Sequence, residues 1–263
     1  MIKRLRLENY LREIYKYKEF EDYCYNGLQI EGRNEINKIA LGVSLNTNLI
    51  DKAIEINANA IIVHHGFFGK SFTAIQKRKK ILIEKLIKND ISLFGIHLPM
   101  DAQKEIGHNA LLFNAIGAKV DIDYEMGFIG KNINKLSLDD MIDSFSKFLR
   151  SNKASRVCLN SPFNIYTESG FTFLNNGPDV PNRIGIISGG ASNYYERAIN
   201  LGVDTFICGE IKEEIPSLSF DTKTNFICLG HYNSEKPGIL KLKEILGNEF
   251  EVVTEFIDIP NPI

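Results

Sequence analysis

Two segments of this chain, 145 residues apart, share one order of elements: a strand, a helix and a second strand. The first, NKIALGVSLNTNLIDKAIEINANAIIVHHG, begins at Asn37, and the second, NRIGIISGGASNYYERAINLGVDTFICGE, begins at Asn182. They align without a gap, since 182 − 37 = 145 and 199 − 54 = 145. A βαβ unit places two parallel strands in one sheet through a right-handed crossover. The repeat therefore predicts an α/β fold with two related lobes that arose by internal duplication.

The first segment indicates where these elements begin and end. Residues 38–43 and 60–63 are apolar runs of strand length. Asn46 or Thr47 can begin the intervening helix, because an Asn or Thr side chain accepts a hydrogen bond from a first-turn N–H. Apolar residues then recur with helical spacing over 49–54.

The composition changes between the two segments. Residues 131–181 contain an amphipathic stretch, KLSLDDMIDSFSKFL, in which Ser137 can cap a helix, and a turn-rich stretch, NNGPDVP. After the second segment, TNFICLGHYNSEKPGILKLKEIL predicts a strand, a polar turn and a helix. We therefore expect one lobe formed by residues 1–125 with 225–263, and a second, inserted lobe formed by residues 126–224.

Charge and cysteine content exclude several classes of protein. The net charge of −2 gives no general attraction to nucleic acid or to anionic membranes, and the basic run 77–80 is typical of a solvated helix face. Four scattered cysteines without a CxxC pair favour a reducing compartment, so we expect a cytoplasmic protein. We expect neither a signal peptide nor a membrane span, because the sequence contains no apolar run long enough for one.

Histidines follow three of the apolar strands. His64 and His65 directly follow the run 60–63, while His97 follows ISLFGI and His231 follows FICLG. His97 and His231 are each followed by a carboxylate four residues later. These two carboxylates are Asp101 and Glu235. Since ligands gather at the carboxyl ends of parallel strands, the pattern predicts one binding site.

Imidazole nitrogens and carboxylate oxygens suit Zn, Mn, Fe, Co or Ni, and five or six such ligands are enough for two ions that share a water. Adjacent side chains of an extended segment point apart, so His64 and His65 should diverge unless the turn at Gly66 brings one round. Other interpretations stay open. His97 can orient another ligand, and Asp101 and Glu235 can be first-turn carboxylates that the helix dipole favours.

Two further features of the sequence suggest roles at such a site. The offset of 145 maps His65 onto Glu210, which makes Glu210 a candidate catalytic residue facing the same cleft. The turn ISGGAS precedes a helix and can either bind an anion on backbone N–H groups or simply connect a strand to a helix. We expect His108 to help cap a helix that starts at Asn109, and we do not expect it to bind metal.

The chain resembles the family of GTP cyclohydrolase type 2 homologues, also called NIF-three-like proteins. The resemblance rests on NGLQIEG (26–32), IIVHHGFFGK (61–70), GIHLPMDA (95–102), GHNALLFNAIGA (107–118), SGGASNYYERAINLGVDTFICGE (188–210), GHYNSE (230–235) and FIDIPNPI (256–263). It implies a dinuclear metal site in the cleft between or beside two α/β lobes, and a hexameric ring. The implied ligands are His64, His65, Asp101, His231 and Glu235, with His97 at or near the metals.

The same resemblance shows one departure. Some members carry histidines after the GE or GD of the second lobe, whereas this chain has GEIKEE, with Glu213 and Glu214 in that stretch. Any role of those histidines does not carry over to this chain.

These observations predict a protein that binds two divalent metal ions. The first functional hypothesis is a metal-dependent hydrolase of a nucleotide-like or other small substrate. Opening of the guanine imidazole ring, as in GTP cyclohydrolases, and phosphoester hydrolysis are two forms of that chemistry. A non-catalytic metal-binding or scaffold ring and a ring that encircles nucleic acid are the alternatives, and the net charge disfavours the second of these.

Overall fold

A computed structural model describes residues 1–70, 72–150 and 154–261. The last two residues of the FIDIPNPI stretch lie outside the described residues. The chain forms two compact units: unit 1 comprises residues 1–106 and 238–259, and unit 2 comprises residues 107–237 and 260–263. The sequence predicts divisions near residues 125 and 225. The strands at residues 119–131 and 225–228 pair with the central strands of unit 2, which draws both segments into that unit.

Helices and strands alternate along most of the chain. The helices are α1 Arg4–Tyr15, α2 Thr47–Glu55, α3 Lys77–Lys88, α4 Leu98–Ala102, α5 His108–Ala115, α6 Leu138–Leu149, α7 Tyr195–Asn200, α8 Ile215–Thr222, α9 His231–Ser234 and α10 Pro237–Glu249. The strands are β1 Ile2–Lys3, β2 Gly27–Ile30, β3 Glu35–Ile36, β4 Lys38–Ser44, β5 Ala60–His65, β6 Ser92–Gly95, β7 Lys119–Tyr124, β8 Gly127–Lys131, β9 Val157–Cys158, β10 Ile165–Glu168, β11 Phe171–Leu174, β12 Arg183–Ile186, β13 Thr205–Cys208, β14 Asn225–Cys228 and β15 Val253–Phe256.

Unit 1 is built on a five-stranded sheet in the order β15-β4-β5-β6-β2. The first four of these strands run parallel, and β2 pairs with β6 in the antiparallel sense. Alternate residues of β4 enter two different cores. Ile39 and Leu41 pack with residues of α1 and α10, while Ala40 packs with residues of α2 and α3. Both faces of the sheet are therefore covered, as expected for parallel strands rich in Ile, Leu and Val.

Unit 2 is built on an eight-stranded sheet in the order β7-β8-β12-β13-β14-β11-β10-β9. The central strands β12, β13 and β14 are parallel, and antiparallel strands extend the sheet on both sides. Ile207 packs against α5 and α6 on one face, and Phe206 packs with residues of α7 on the other. The predicted α/β fold with two α/β units is confirmed.

The two βαβ segments share one register. Ile39 pairs with Ala60 in unit 1, and Ile184 pairs with Thr205 in unit 2, so both members of the pair are shifted by 145 residues. The helical segments correspond as well, because α2 spans 47–55 and the 3₁₀ turn Ser192–Tyr194 with α7 spans 192–200. The constant offset that the sequence predicted therefore holds through strand, helix and strand.

Two predicted helix caps are confirmed, and one is wrong. The Asn46 side chain accepts a hydrogen bond from the Leu49 N–H (2.9 Å), and Ser137 forms a capping box with Asp140 at the start of α6. His108 does not cap a helix, because it is itself the first residue of α5 and is buried, while Gly107 occupies the cap position. Within the described part of the chain, every helix is too short or too polar to cross a membrane.

Candidate metal centre

His64 and His65 lie at the carboxyl end of strand β5. Its apolar residues are buried between parallel neighbours on both sides, and this fixes the position of the two residues that follow them. His64 is buried and His65 is half-buried. The strand continues through both histidines before Gly66.

The two imidazoles lie side by side, with ring centroids 4.4 Å apart. An ideal strand would point them to opposite faces, so one ring turns back at the strand end, as the turn at Gly66 allows. The Nδ1 atom of His64 lies 2.9 Å from the Ile96 carbonyl oxygen and donates to it. This bond directs the Nε2 atom of His64 toward Asp101, whose Oδ2 is 3.6 Å away.

His97 joins this cluster from the end of β6. Its ring centroid lies 5.1 Å from that of His64 and 5.5 Å from that of His65. One ligand atom from each of the three imidazoles lies within 4.8 Å of the others, so the three together could hold an ion. Unit 1 therefore brings together the three histidines that sequence reasoning assigned to two separate strand ends.

Asp22 anchors His97. The Nδ1 atom of His97 donates to the Asp22 carboxylate at 2.9 Å, and the Leu98 N–H donates to the same carboxylate at 3.1 Å. Burial by itself would lower the pKa of His97, but the hydrogen bond to Asp22 and the negative charges of Asp22 and Asp101 raise it to about 10. Burial by itself would raise the pKa of Asp22. Hydrogen bonds from His97, from the Cys24 N–H and from the Asn26 amide lower it to about 2.

Sequence reasoning missed Asp22, Cys24 and Asn26. Ligand atoms of Asp22, Cys24 and His97 lie within 4.8 Å of one another, and Asn26 accepts a hydrogen bond from the His97 N–H at 2.7 Å. The signal was present in the sequence EDYCYNG, because Asp22, Cys24 and Asn26 alternate with tyrosines and so share one side of an extended segment.

Unit 2 presents its own pair of donors. His231 begins the short helix α9 directly after Gly230, and its Nε2 lies 3.0 Å from the Oε1 atom of Glu235, four residues later. Glu235 is buried and follows the last residue of α9, so it is not a first-turn carboxylate of the helix. The interpretation that the helix dipole explains this carboxylate is therefore wrong for Glu235.

Glu210 contacts the other side of the His231 ring. Its Oε1 atom lies 2.5 Å from His231 Nδ1, so the imidazole is held between two carboxylates. The hydrogen bond to Glu235 raises the pKa of His231 to about 9; burial opposes this shift and Glu210 adds to it. Glu213 and Glu214 are both exposed in the following segment.

The turn ISGGAS lets these carboxylates approach the backbone. Gly189 has a φ of +68°, and a Cβ there would overlap the Oε1 atom of Glu235. A Cβ at Gly190 would lie 3.0 Å from the Oε2 atom of Glu210. Two carboxylates therefore occupy the neighbourhood of the turn, which makes it a poor site for an anion. Only a three-residue 3₁₀ turn and the six-residue helix α7 follow it.

The donors fit a divalent transition-metal ion. Two ligand atoms bound to one ion at about 2.1 Å lie roughly 3.0–3.5 Å apart. The imidazole–carboxylate pairs of the two units measure 3.6 Å (His64 with Asp101) and 3.0 Å (His231 with Glu235). The Nδ1–H group of His64 also donates to the Ile96 carbonyl and that of His231 to Glu210, as the second ring nitrogen of a metal-binding histidine usually does.

A protein-family model matches nearly the whole chain. The model described as Duf34/NIF3 (NGG1p interacting factor 3) matches residues 2–262. The chain belongs to the DUF34/NIF3 family. The family predicted from the sequence motifs is thereby confirmed.

Several proteins and solved structures resemble the chain over nearly its full length. The GTP cyclohydrolase 1 type 2 homolog of Haemophilus influenzae is 35% identical over 98% of both chains, and that of Escherichia coli K12 is 33% identical over 99% of this chain and 100% of the other. The solved structure of protein ybgI, described as of unknown function, has 30% identity and a TM-score of 0.87 over 100% of both chains. TTHA1606 from Thermus thermophilus, at 24% identity and a TM-score of 0.85 over 100% of both chains, supports the fold alone.

Proposed function

We propose that the protein binds two divalent metal ions through His64, His65, Asp101, His231 and Glu235 and uses them to hydrolyse a small, nucleotide-like substrate. The observation that carries the proposal is the pair of imidazole–carboxylate separations, 3.6 Å in unit 1 and 3.0 Å in unit 2. The 3.0 Å separation lies within the roughly 3.0–3.5 Å of two ligands on one ion, and the 3.6 Å separation lies just beyond it. The candidate metals are Zn, Mn, Fe, Co and Ni, because the ligands are imidazoles and carboxylates.

Bound metal ions would activate water near neutral pH and polarise the bond under attack. The protein's own residues supply the geometry. The carbonyl of Ile96 holds the Nδ1 proton of His64, so that His64 presents its Nε2 atom. Glu210 holds the Nδ1 proton of His231 in the same way. Both histidines are thereby fixed in the tautomer that a metal ligand requires.

Glu210 is in this proposal a positioning residue with one oxygen to spare. Its Oε1 atom contacts His231, while about half of the side chain is exposed (47%) and can meet a substrate. We expect Glu210→Gln to leave the fold intact and to reduce turnover more than tenfold, because the neutral amide no longer holds the Nδ1 proton of His231 as firmly or raises the basicity of that ligand. Unchanged turnover would remove Glu210 from the mechanism.

Metal analysis tests the ligand assignment. We expect purified protein to contain two ions per chain, and Asp101→Ala and Glu235→Gln each to lose metal while circular dichroism shows a folded protein. Asp90→Ala is the matched control, because Asp90 is an exposed acid of unit 1 whose partner is Arg33. Wild-type metal content in both ligand variants would refute the assignment.

Turnover separates a hydrolase from a non-catalytic metal-binding ring. The relatives' name, GTP cyclohydrolase 1 type 2 homolog, makes GTP the first substrate to test, followed by nucleoside monophosphates and simple phosphoesters. Each is assayed with Mn, Zn, Fe and Co added to chelator-treated protein. Metal-dependent product formation that Asp101→Ala abolishes supports the hydrolase. Full metal occupancy without turnover across the panel supports the non-catalytic alternative.

The assembly and the compartment complete the proposal. The family resemblance implies a homohexamer, and light scattering coupled to gel filtration should give six times the 29.8 kDa chain mass. The four cysteines are free thiols, which agrees with a reducing, cytoplasmic location.

A further inference from the structure

A cavity of about 560 Å³ in unit 1 is lined in part by Asp22 and Tyr23, two residues that contact His97. Four aromatic side chains and one lysine contribute to its lining: Tyr23, Tyr25, Phe68, Phe72 and Lys70. We call it the aromatic cavity. Its volume lies within the range of about 300–1,000 Å³ that is usual for sites of small organic ligands.

The walls of the aromatic cavity are held together by backbone pairing. Residues 23–25 and 68–70 form an antiparallel bridge, in which the Tyr25 N–H donates to the Phe68 carbonyl (2.9 Å) and the Lys70 N–H donates to the Tyr23 carbonyl (2.8 Å). The Gln29 amide links the same two segments, because its Nε2 donates to the Tyr25 carbonyl (2.8 Å) and its Oε1 accepts from the Phe67 N–H (3.2 Å). The site is therefore built before any ligand arrives.

Two lining residues of the aromatic cavity contact His97, at the candidate metal site of unit 1. The Tyr23 hydroxyl lies 3.3 Å from His97 Nε2, and the two rings meet edge to face with centroids 4.9 Å apart. Asp22, which anchors His97, also lines the cavity. A ligand that contacts Tyr23 or Asp22 would therefore touch a residue bonded to the three-histidine cluster.

The composition of the walls indicates the chemical class of the ligand. Tyr23 and Tyr25 are 61% and 56% exposed, although each carries a large apolar ring. Exposed ring faces lining a cavity are suited to stacking on a flat aromatic ligand. Lys70 lies at the same cavity with its Nζ 3.7 Å from the exposed Glu21 carboxylate, a weak surface pair that an anionic ligand can replace.

We infer that the aromatic cavity binds the planar aromatic ring of an anionic substrate, with Tyr23 and Tyr25 stacking on the ring and Lys70 meeting the anionic group. The inference rests on the proposed function, since it names the substrate class of that metal site. Tyr23 lines the cavity and contacts His97, so the bound ring would lie next to a residue that touches the three-histidine cluster.

Ligand-observed NMR and calorimetry with three probes test the inference on the full chain. Adenosine monophosphate carries ring and phosphate, adenosine lacks the phosphate, and ribose 5-phosphate lacks the ring. We expect the first to bind most tightly and the last to bind least. Tyr25→Ala should lower the affinity for adenosine monophosphate by about 5-fold to 100-fold, the usual range for loss of one stacking partner. Lys70→Gln should lower the affinity for adenosine monophosphate by about 2-fold to 5-fold and leave the affinity for adenosine unchanged.

Phe148→Ala is the control, because Phe148 is a partly exposed aromatic residue (39%) of unit 2. Every measurement is made on both chelator-treated and metal-loaded protein. If the aromatic probes bind but metal does not, the result would support the ligand assignment of the cavity and refute the proposed metal site. Metal binding without probe binding, or equal affinity in wild type and Tyr25→Ala, would overturn the cavity alone. A change in oligomeric mass with Tyr25→Ala at unchanged probe affinity would identify the surface as an interface and would also overturn it.

Discussion

Replacing Gly189 by alanine should disable the metal pair of unit 2 through a single methyl group. The added Cβ would sit roughly 1 Å inside van der Waals contact with the Glu235 Oε1 atom. Glu235 is buried, at 3% exposure, so it has little room to retreat except by moving away from His231. Metal–ligand distances tolerate only about 0.2 Å of error, so a carboxylate displaced by about 1 Å no longer binds the same ion as His231.

Two effects of this substitution can be separated in size. The backbone at Gly189 has a φ of +68°, and an L-residue in that conformation costs about 1–2 kcal/mol. That cost lowers the melting temperature by roughly 2–8 °C in a chain of this size. The displaced ligand adds a loss of metal affinity of about 10-fold to 100-fold, the range found when the support of a metal ligand is removed.

Gly170→Ala provides the matched control. Gly170 also belongs to unit 2 and has a φ of +81°, but a Cβ there would meet nothing within 4 Å. It carries the backbone cost without the collision. Thermal melts in chelator and titrations with Mn or Zn should therefore show destabilisation in both variants and loss of metal affinity only in Gly189→Ala. Equal metal affinity in the two variants would refute the reasoning.

Three further predictions concern the cores and the helix ends. Burial raises the pKa of the Cys208 thiol, so an alkylating reagent should modify exposed Cys158 in native protein and Cys208 only after unfolding, as peptide mass spectrometry can show. Phe206→Ala should cost about 3–5 kcal/mol of unfolding free energy in urea melts, because Phe206 is fully buried, whereas Phe148→Ala should cost far less. Asn46→Ala should cost about 1 kcal/mol through loss of the α2 cap, and an unchanged urea midpoint would contradict that role.

The parts of the fold set by local pattern were predictable from the sequence. Apolar runs at fixed spacing and a capping side chain define each βαβ segment, and the offset of 145 carried over to the pairing of Ile39 with Ala60 and Ile184 with Thr205. The same patterns placed His64, His97 and His231 at or just after strand ends. Alternation and capping depend on near neighbours in the chain, so they can be read without knowing the tertiary structure.

The antiparallel strands of unit 2 were not predicted, because their pairing depends on distant partners. Strand β11 pairs with β14, more than 50 residues later, and the hairpin between β10 and β11 turns on Ser169 and Gly170, both with positive φ. A two-residue turn ending in Gly is a recognised hairpin signal, but β10 beside it is only partly buried and lacks a strong apolar pattern. Asp22 escaped notice for a similar reason, since its partner His97 lies 75 residues away.

Gln29 lies where two glycines leave room for its amide. A Cβ at Gly66 or at Gly95 would overlap the Gln29 side chain, while that amide holds Tyr25 and Phe67 in place. Positions 29, 66 and 95 therefore form a mutationally coupled set. Relatives that replace either glycine should also shorten or redirect residue 29, and alanine at position 66 or 95 should displace the Gln29 amide from Tyr25 and Phe67. A shorter residue 29 would lose the hydrogen bonds to Tyr25 and Phe67 that hold the wall of the aromatic cavity. Substitutions at positions 66 and 95 can therefore change the shape of that cavity through residue 29.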